Sequence, residues 1–146
     1  GTLYENISLN RASVSPEDVL WSIENTCLQG FLESQADGLN TILKPTGSSL
    51  SKSVIQKILL ARSIVIKPKL LILGNNLNSL ASIDKQKIVS FITSKDNPWT
   101  LLCSSNDAYL ASKCDQLVYM KDGKIVESGS FEDLVKIEDL KNILYA

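Results

Sequence analysis

Leu50-Ser51-Lys52-Ser53-Val54 opens a run of apolar and basic residues that reaches Ile66. Lys67-Pro68-Lys69 interrupts it, and Leu70-Leu71-Ile72-Leu73 follows, closed by Gly74-Asn75-Asn76. Val54, Ile55, Ile58, Leu59, Ala61 and Ile64 fall at helical spacing, so residues 51–66 are predicted to form an amphipathic helix that Pro68 stops. The four-residue run after it is wholly apolar and bounded by glycine, which predicts a parallel strand buried on both faces. A helix feeding a buried strand is the unit of α/β layering.

The same order recurs downstream. Residues 83–93 read as a helix, 100–104 as a strand and 108–113 as a short helix. A hairpin follows over 116–121 and 124–128, turned by Asp122-Gly123. Ser130-Phe131-Glu132-Asp133 resembles a capping box that opens the last helical region. Upstream, Ser15-Pro16-Glu17-Asp18 is a strong helix start, with a capping serine, a proline at the first position and acids at the positive end of the dipole. That helix is predicted to run through Val19, Trp21, Ile23 and Cys27 and to break at Gly30, with a short helix opening at Phe31-Leu32. Residues 37–49, with Asp37-Gly38, Pro45 and Gly47-Ser48-Ser49, read as a loop. Gly1 to Ile7 mixes polar and apolar residues abruptly and reads as a start inside a larger protein.

The 146 residues, 44% of them hydrophobic, allow one modest core and describe a globular chain. No apolar run approaches the roughly 20 residues needed to cross a bilayer, and residues 1–15 carry no export signal, so the chain is expected to be soluble. A net charge of −1 gives no electrostatic reason to expect nucleic acid. Histidine is absent, which removes the commonest general base and metal ligand. Cys27, Cys103 and Cys114 lack paired spacing and are expected to be small buried hydrophobes in a reducing compartment, holding no metal.

Six segments carry a resemblance to the ATPase domains of ATP-binding cassette (ABC) transporters. Gly1-Thr2-Leu3-Tyr4-Glu5-Asn6-Ile7 resembles the stretch after the family's Q-loop, and Asp37-Gly38-Leu39-Asn40-Thr41 the run before its signature. Ala61-Arg62, Lys67-Pro68 and Leu70 to Leu73 are similar to the scaffold between signature and Walker B. Lys121 to Ser130 resembles the terminal hairpin and turn. Each match alone is weak; together, in family order and spacing, they imply an α/β fold, a partial P-loop NTPase. It would comprise the helical subdomain (1–50) and, over 51–146, the signature helix and second half of the RecA-like core with a C-terminal β-hairpin.

The residues that would touch ATP depart from the family pattern. The resemblance places the signature at Leu50, Ser51, Lys52, Ser53 and Val54, where two glycines and a glutamine are replaced. Glycine there lets bare amides at a helix N-terminus approach the γ-phosphate bound by the opposite subunit. Lys52 offers a phosphate only a point charge, and a lysine at a helix start is ordinarily solvated. The Walker B acids that hold magnesium and position water fall at Gly74 and Asn75. The D-loop aspartate falls at Ala81, and the switch histidine at Asn106, whose ordinary role is a helix cap. No Gly-x-x-x-x-Gly-Lys-[Ser/Thr] loop occurs.

Asp84, three residues past the lost aspartate, is expected to serve a helix N-terminus rather than act as a shifted acid. Glu132, Asp133, Glu138 and Asp139 read as a solvated face, and Trp21 and Trp99 as core or rim. The resemblance therefore implies a hydrolytically silent part of an ABC transporter ATPase domain with a structural or coupling role. No cofactor is expected in this chain; ATP and magnesium would require an upstream P-loop. The implied partners are a membrane-spanning domain and a second ATPase domain, at the cytoplasmic face of a membrane. The alternatives are an interaction or regulatory module that uses no nucleotide, or a domain that still binds ATP through an upstream loop. The strand over 100–104 is further expected to keep one edge unpaired in this chain alone.

Overall fold

A computed structural model describes residues 1–44, 50–74, 77 and 79–145. Two compact units divide the chain, Gly1–Leu102 and Cys103–Ala146.

The first unit opens with α1 (Leu3–Ser8), a helix the sequence reading left out. Its start carries a full capping box: Thr2 accepts from the Glu5 amide, and Glu5 accepts from the Thr2 amide. Then come α2 (Pro16–Asn25), α3 (Gln29–Glu33) and a 3₁₀ turn (Gly38–Asn40), followed by α4 (Lys52–Ile64), β1 (Leu70–Leu73), α5 (Ser82–Ile92) and β2 (Thr100–Cys103), whose last residue is assigned to the second unit. Leu3 and Ile7 of α1, Val19 and Ile23 of α2, and Ile58, Ala61 and Val65 on and just after α4 form one core, joined by Val14 and Leu28.

Ser15 caps α2 as expected, accepting from Asp18 while Asp18 accepts from the Ser15 amide. That amide, helped by Lys67 and the Ser15 hydroxyl, holds the Asp18 carboxyl below its usual value. Ser15→Ala is expected to cost about 1 kcal/mol, read as a lower urea midpoint at unchanged m-value.

Helix α2 stops before the expected place. It ends at Asn25, and Gly30 lies inside α3 rather than breaking a helix. The cause is a turn at Thr26-Cys27. Thr26 Oγ1 donates back to the Ser22 carbonyl (2.7 Å), Cys27 takes a left-handed conformation (φ 55°), and the Leu28 amide reaches the Ile23 carbonyl (2.9 Å). This closes the helix as a Schellman turn does, with cysteine where glycine is usual.

β1 and β2 pair as a two-stranded sheet joined through α5. β1 is not buried on both faces, contrary to expectation: Leu71 is 2% exposed, but Leu70 is 52% and Ile72 65% exposed. Period-2 alternation puts Leu71 on the covered face and its neighbours on the open one. Leu102 of β2 is exposed too. Among the described residues β2 pairs with β1 alone, so its other edge is free.

The second unit holds α6 (Ala108–Lys113), β3 (Leu117–Lys121), β4 (Lys124–Gly129), α7 (Phe131–Leu134) and α8 (Glu138–Tyr145). Asp122 (φ 49°) and Gly123 (φ 73°) both take left-handed conformations, the requirement of a type I′ hairpin turn. One face of the hairpin packs Tyr119 on Leu134 and Leu140. Val118, Met120 and Ile125 are exposed. Ser130 caps α7 by accepting from the Asp133 amide.

Candidate functional site

The site begins at the N-terminus of α4. Ser51 is its N-cap, and its hydroxyl accepts the Val54 amide at 3.2 Å. The Val54 amide is therefore already bonded. Lys52 is exposed, and Lys52 and Ser53 add side chains where close backbone approach requires none. Leu50 and Val54 pack against the core and work as wall residues.

Further along α4, Lys57 is almost fully buried. Its ammonium donates to the Asp84 carboxylate at 2.6 Å and to the Cys27 carbonyl at 3.0 Å. Asp84 also lies in the first turn of α5, as expected. Committed to Lys57, it is poorly placed to replace a missing catalytic acid. Arg62 donates through Nε to the Asn6 carbonyl (2.7 Å) and through Nη2 to Asn6 Oδ1 (3.3 Å), fastening α1 to α4. Trp99 donates to the Ile92 carbonyl and meets Phe91 edge-on at 5.8 Å; Phe91 meets Trp21 in the same way. Both tryptophans thus serve as core and rim, with Lys67 stacked over Trp21.

Gly74 is exposed at the end of β1 and borders a concavity of about 100 Å³ between α4 and β1, lined also by Gln56, Leu59, Ser63, Ile72 and Leu73. Gln56 Oε1 is buried there without a partner. Ligand pockets usually enclose about 300–1,000 Å³. This one is too small for a nucleotide and its lining brings no cation to a triphosphate. Asn75 lies outside the described residues. Ala81 is the exposed N-cap of α5 and makes no side-chain cap bond. A methyl group and a bare Gly74 supply no side-chain oxygen to magnesium. Among the described residues no group of three or more His, Cys, Asp or Glu is assembled to hold a metal.

Asn106 belongs to the second unit and is exposed, but it is not the expected cap. Asp107 caps α6, accepting the Leu110 amide at 2.8 Å. A carboxylate one residue later takes that amide and favours the helix dipole better than the neutral amide does. The cysteines also depart from expectation: all three are half-buried rather than core. Burial pushes the Cys27 thiol up.

The buried Lys57 was not foreseen, although a signal for it existed. Lys57 stands three residues after Val54 and four before Ala61, on the apolar stripe of α4. A lysine in that register needs a buried anion, and Asp84 supplies it.

A helical group feeding a strand–helix–strand unit, followed by a capped hairpin, defines the class: a partial α/β P-loop NTPase fold matching the C-terminal portion of an ABC transporter ATP-binding domain. Over 99% of its length the chain is 26% identical to the uncharacterized ABC transporter ATP-binding protein YfiC of Bacillus subtilis. It is 30% identical over 93% of its length to the ABC-type transporter kk1G of Curvularia clavata, and 28% identical over 99% to the alpha-hemolysin translocation ATP-binding protein HlyB of Escherichia coli. It spans 24%, 10% and 20% of those proteins respectively. A bacterial Atm1-family ABC exporter solved with ATP bound shares the fold, with a TM-score of 0.87 at 22% identity over 99% of this chain and 25% of that one. No family model matches the chain. No helix among the described residues is long and apolar enough to cross a membrane.

Proposed function

We propose that the chain is a hydrolytically silent portion of an ABC transporter ATPase domain, kept for its shape and for coupling to a membrane-spanning partner. The observation that carries this reading is a contrast within one unit. The scaffold that would hold the chemistry is fastened by Lys57–Asp84, Arg62–Asn6 and a shared core, while Gly74 and Ala81 present no ligand and Ser51 occupies its own helix start. ATP and magnesium would then enter only through residues upstream of this chain. The open face at Leu70, Ile72 and Leu102 supports completion of the sheet by further ATPase-domain polypeptide, and a second ATPase domain is the expected dimer partner.

The membrane-spanning partner is expected to contact residues 10–50 at the cytoplasmic face. Exposed acids there include Glu17, Glu24 and Glu33. Reversing all three to lysine is expected to cut co-purification with the membrane-spanning domain at least about tenfold, since like-charge juxtaposition at an interface costs several kcal/mol, with nucleotide affinity unchanged. Unaltered co-purification would remove the coupling role and favour the nucleotide-free interaction module.

A further inference from the structure

We propose that Asp122-Gly123 is a modification site: it isomerises spontaneously to isoaspartate, which an S-adenosylmethionine-dependent carboxyl methyltransferase would then recognise. The pair is the two-residue tip of the β3–β4 hairpin. The rung behind it sets Lys121 opposite Lys124, both exposed. Like charges directly opposite each other weaken a rung, so the hairpin frays first at this end. Both tip residues are exposed, and a side chain added at Gly123 would meet nothing within 4 Å. Among the described residues no hydrogen bond holds the Gly123 amide. Its nitrogen is open to the neighbouring carboxyl once the tip frays.

The sequence contains one other Asp-Gly pair, Asp37-Gly38, and it lies in the other unit. Asp37 is exposed too, but the Gly38 amide donates to the Gln35 carbonyl at 3.1 Å. That bond must break before the nitrogen can attack. Glycine follows aspartate in both pairs, so no Cβ obstructs ring closure in either. The two sites differ in what the fold does with the amide.

In the reaction, the Gly123 nitrogen attacks Asp122 Cγ. An N–Cγ bond forms, the amide proton and the carboxyl hydroxyl leave together as water, and a five-membered succinimide closes. Water then adds at one of the two ring carbonyls. Breaking the N–Cγ bond restores aspartate. Breaking the bond from nitrogen to the main-chain carbonyl carbon gives isoaspartate, with Cγ now in the main chain. The sum is an isomerisation without change of mass. The freed α-carboxylate can then take the methyl group of S-adenosylmethionine. An O–C bond forms, the S–C bond breaks, and S-adenosylhomocysteine leaves.

An extra main-chain methylene would end the type I′ turn, which needs two α-linked residues with left-handed φ. With the turn would go the register that seats Tyr119 on Leu134 and Leu140. The inference does not depend on the function proposed above.

The test ages the full-length protein at neutral pH and maps it with chymotrypsin. Cleavage after Tyr119 and Phe131 releases 120–131, and cleavage after Leu32 and Leu39 releases 33–39, each with one Asp-Gly pair. An isoaspartyl methyltransferase with labelled S-adenosylmethionine marks the modified peptide, and electron-transfer fragmentation locates the β-linkage. The expected result is at least about fivefold more isoaspartate at Asp122 than at Asp37, the ratio that one ordinary net hydrogen bond sets. In urea the two sites should label equally. Asp122→Glu, whose ring would be six-membered, should lose the label in 120–131. Asp122→Asn, which suits the same turn, should gain label faster, with ammonia leaving in place of water. Equal labelling of the two sites in the folded protein, label confined to Asp37, no label at either, or a fivefold ratio that persists in urea would overturn the proposal.

Discussion

Asp84→Ala is expected to destabilise the first unit by about 2–3 kcal/mol. The Lys57 side chain is 10% exposed and that of Asp84 30%. Removing the carboxylate leaves the ammonium, among the described residues, with only the Cys27 carbonyl for company. Breaking a fully buried pair costs about 3–5 kcal/mol. Partial access of water to Asp84 reduces that figure, because exposed pairs contribute about 0–1 kcal/mol. The double variant Lys57→Met/Asp84→Leu should recover most of the loss, since apolar replacement of a buried pair is often neutral. Urea unfolding followed by tryptophan fluorescence reads the first unit alone, because Trp21 and Trp99 are the protein's two tryptophans and both lie in it. An Asp84→Ala midpoint equal to that of the parent would mean that the pair is ornamental and Asp84 is free for other work.

Much of the first unit is legible because local signals agree there. Ser15-Pro16 with Asp18 fixes the start of α2 and the apolar stripe marks α4, and the structure keeps both, although α4 ends at Ile64, short of the expected residue 66. Asp122-Gly123 does the same for the hairpin. The misses have tertiary causes. Cys27 adopts a glycine-like conformation because Thr26 bonds backward and Lys57 takes the Cys27 carbonyl, which no local propensity encodes. Burial of β1 was overestimated because a wholly apolar run cannot report whether a second layer covers it. The Thr2/Glu5 capping box of α1 was readable but short, and short helices form chiefly through packing, here of Leu3 and Ile7. The candidate site was legible only as a set of replacements: Gly74, Ala81 and the residues over 50–54 stand where the family resemblance assigns chemistry. What they do instead, such as the Ser51 cap and the Leu50 and Val54 wall, required the structure.

Hydrolysis by the full-length protein that carries these residues is expected to be at least about 10³-fold below an ordinary enzyme's median of about 10 s⁻¹, hence under about 10⁻² s⁻¹. Losing one preorganised group typically costs about 10²–10³ in rate. Such losses are not additive, but on the proposed reading Gly74, Ala81 and Asn106 stand where the family resemblance assigns groups that they do not carry. On the same reading, the Ser51 cap and the Lys52 and Ser53 side chains stand where a γ-phosphate would need bare amides. Binding can persist through an upstream phosphate loop, so affinity does not decide the question and turnover does. The decisive measurement is magnesium-dependent phosphate release from ATP by that full-length protein, with the hydrolytic acid of any different partner chain removed. A rate indistinguishable from that of a heat-inactivated control is the predicted result. Saturable, magnesium-dependent release at about 1 s⁻¹ or faster would contradict the silent-scaffold account.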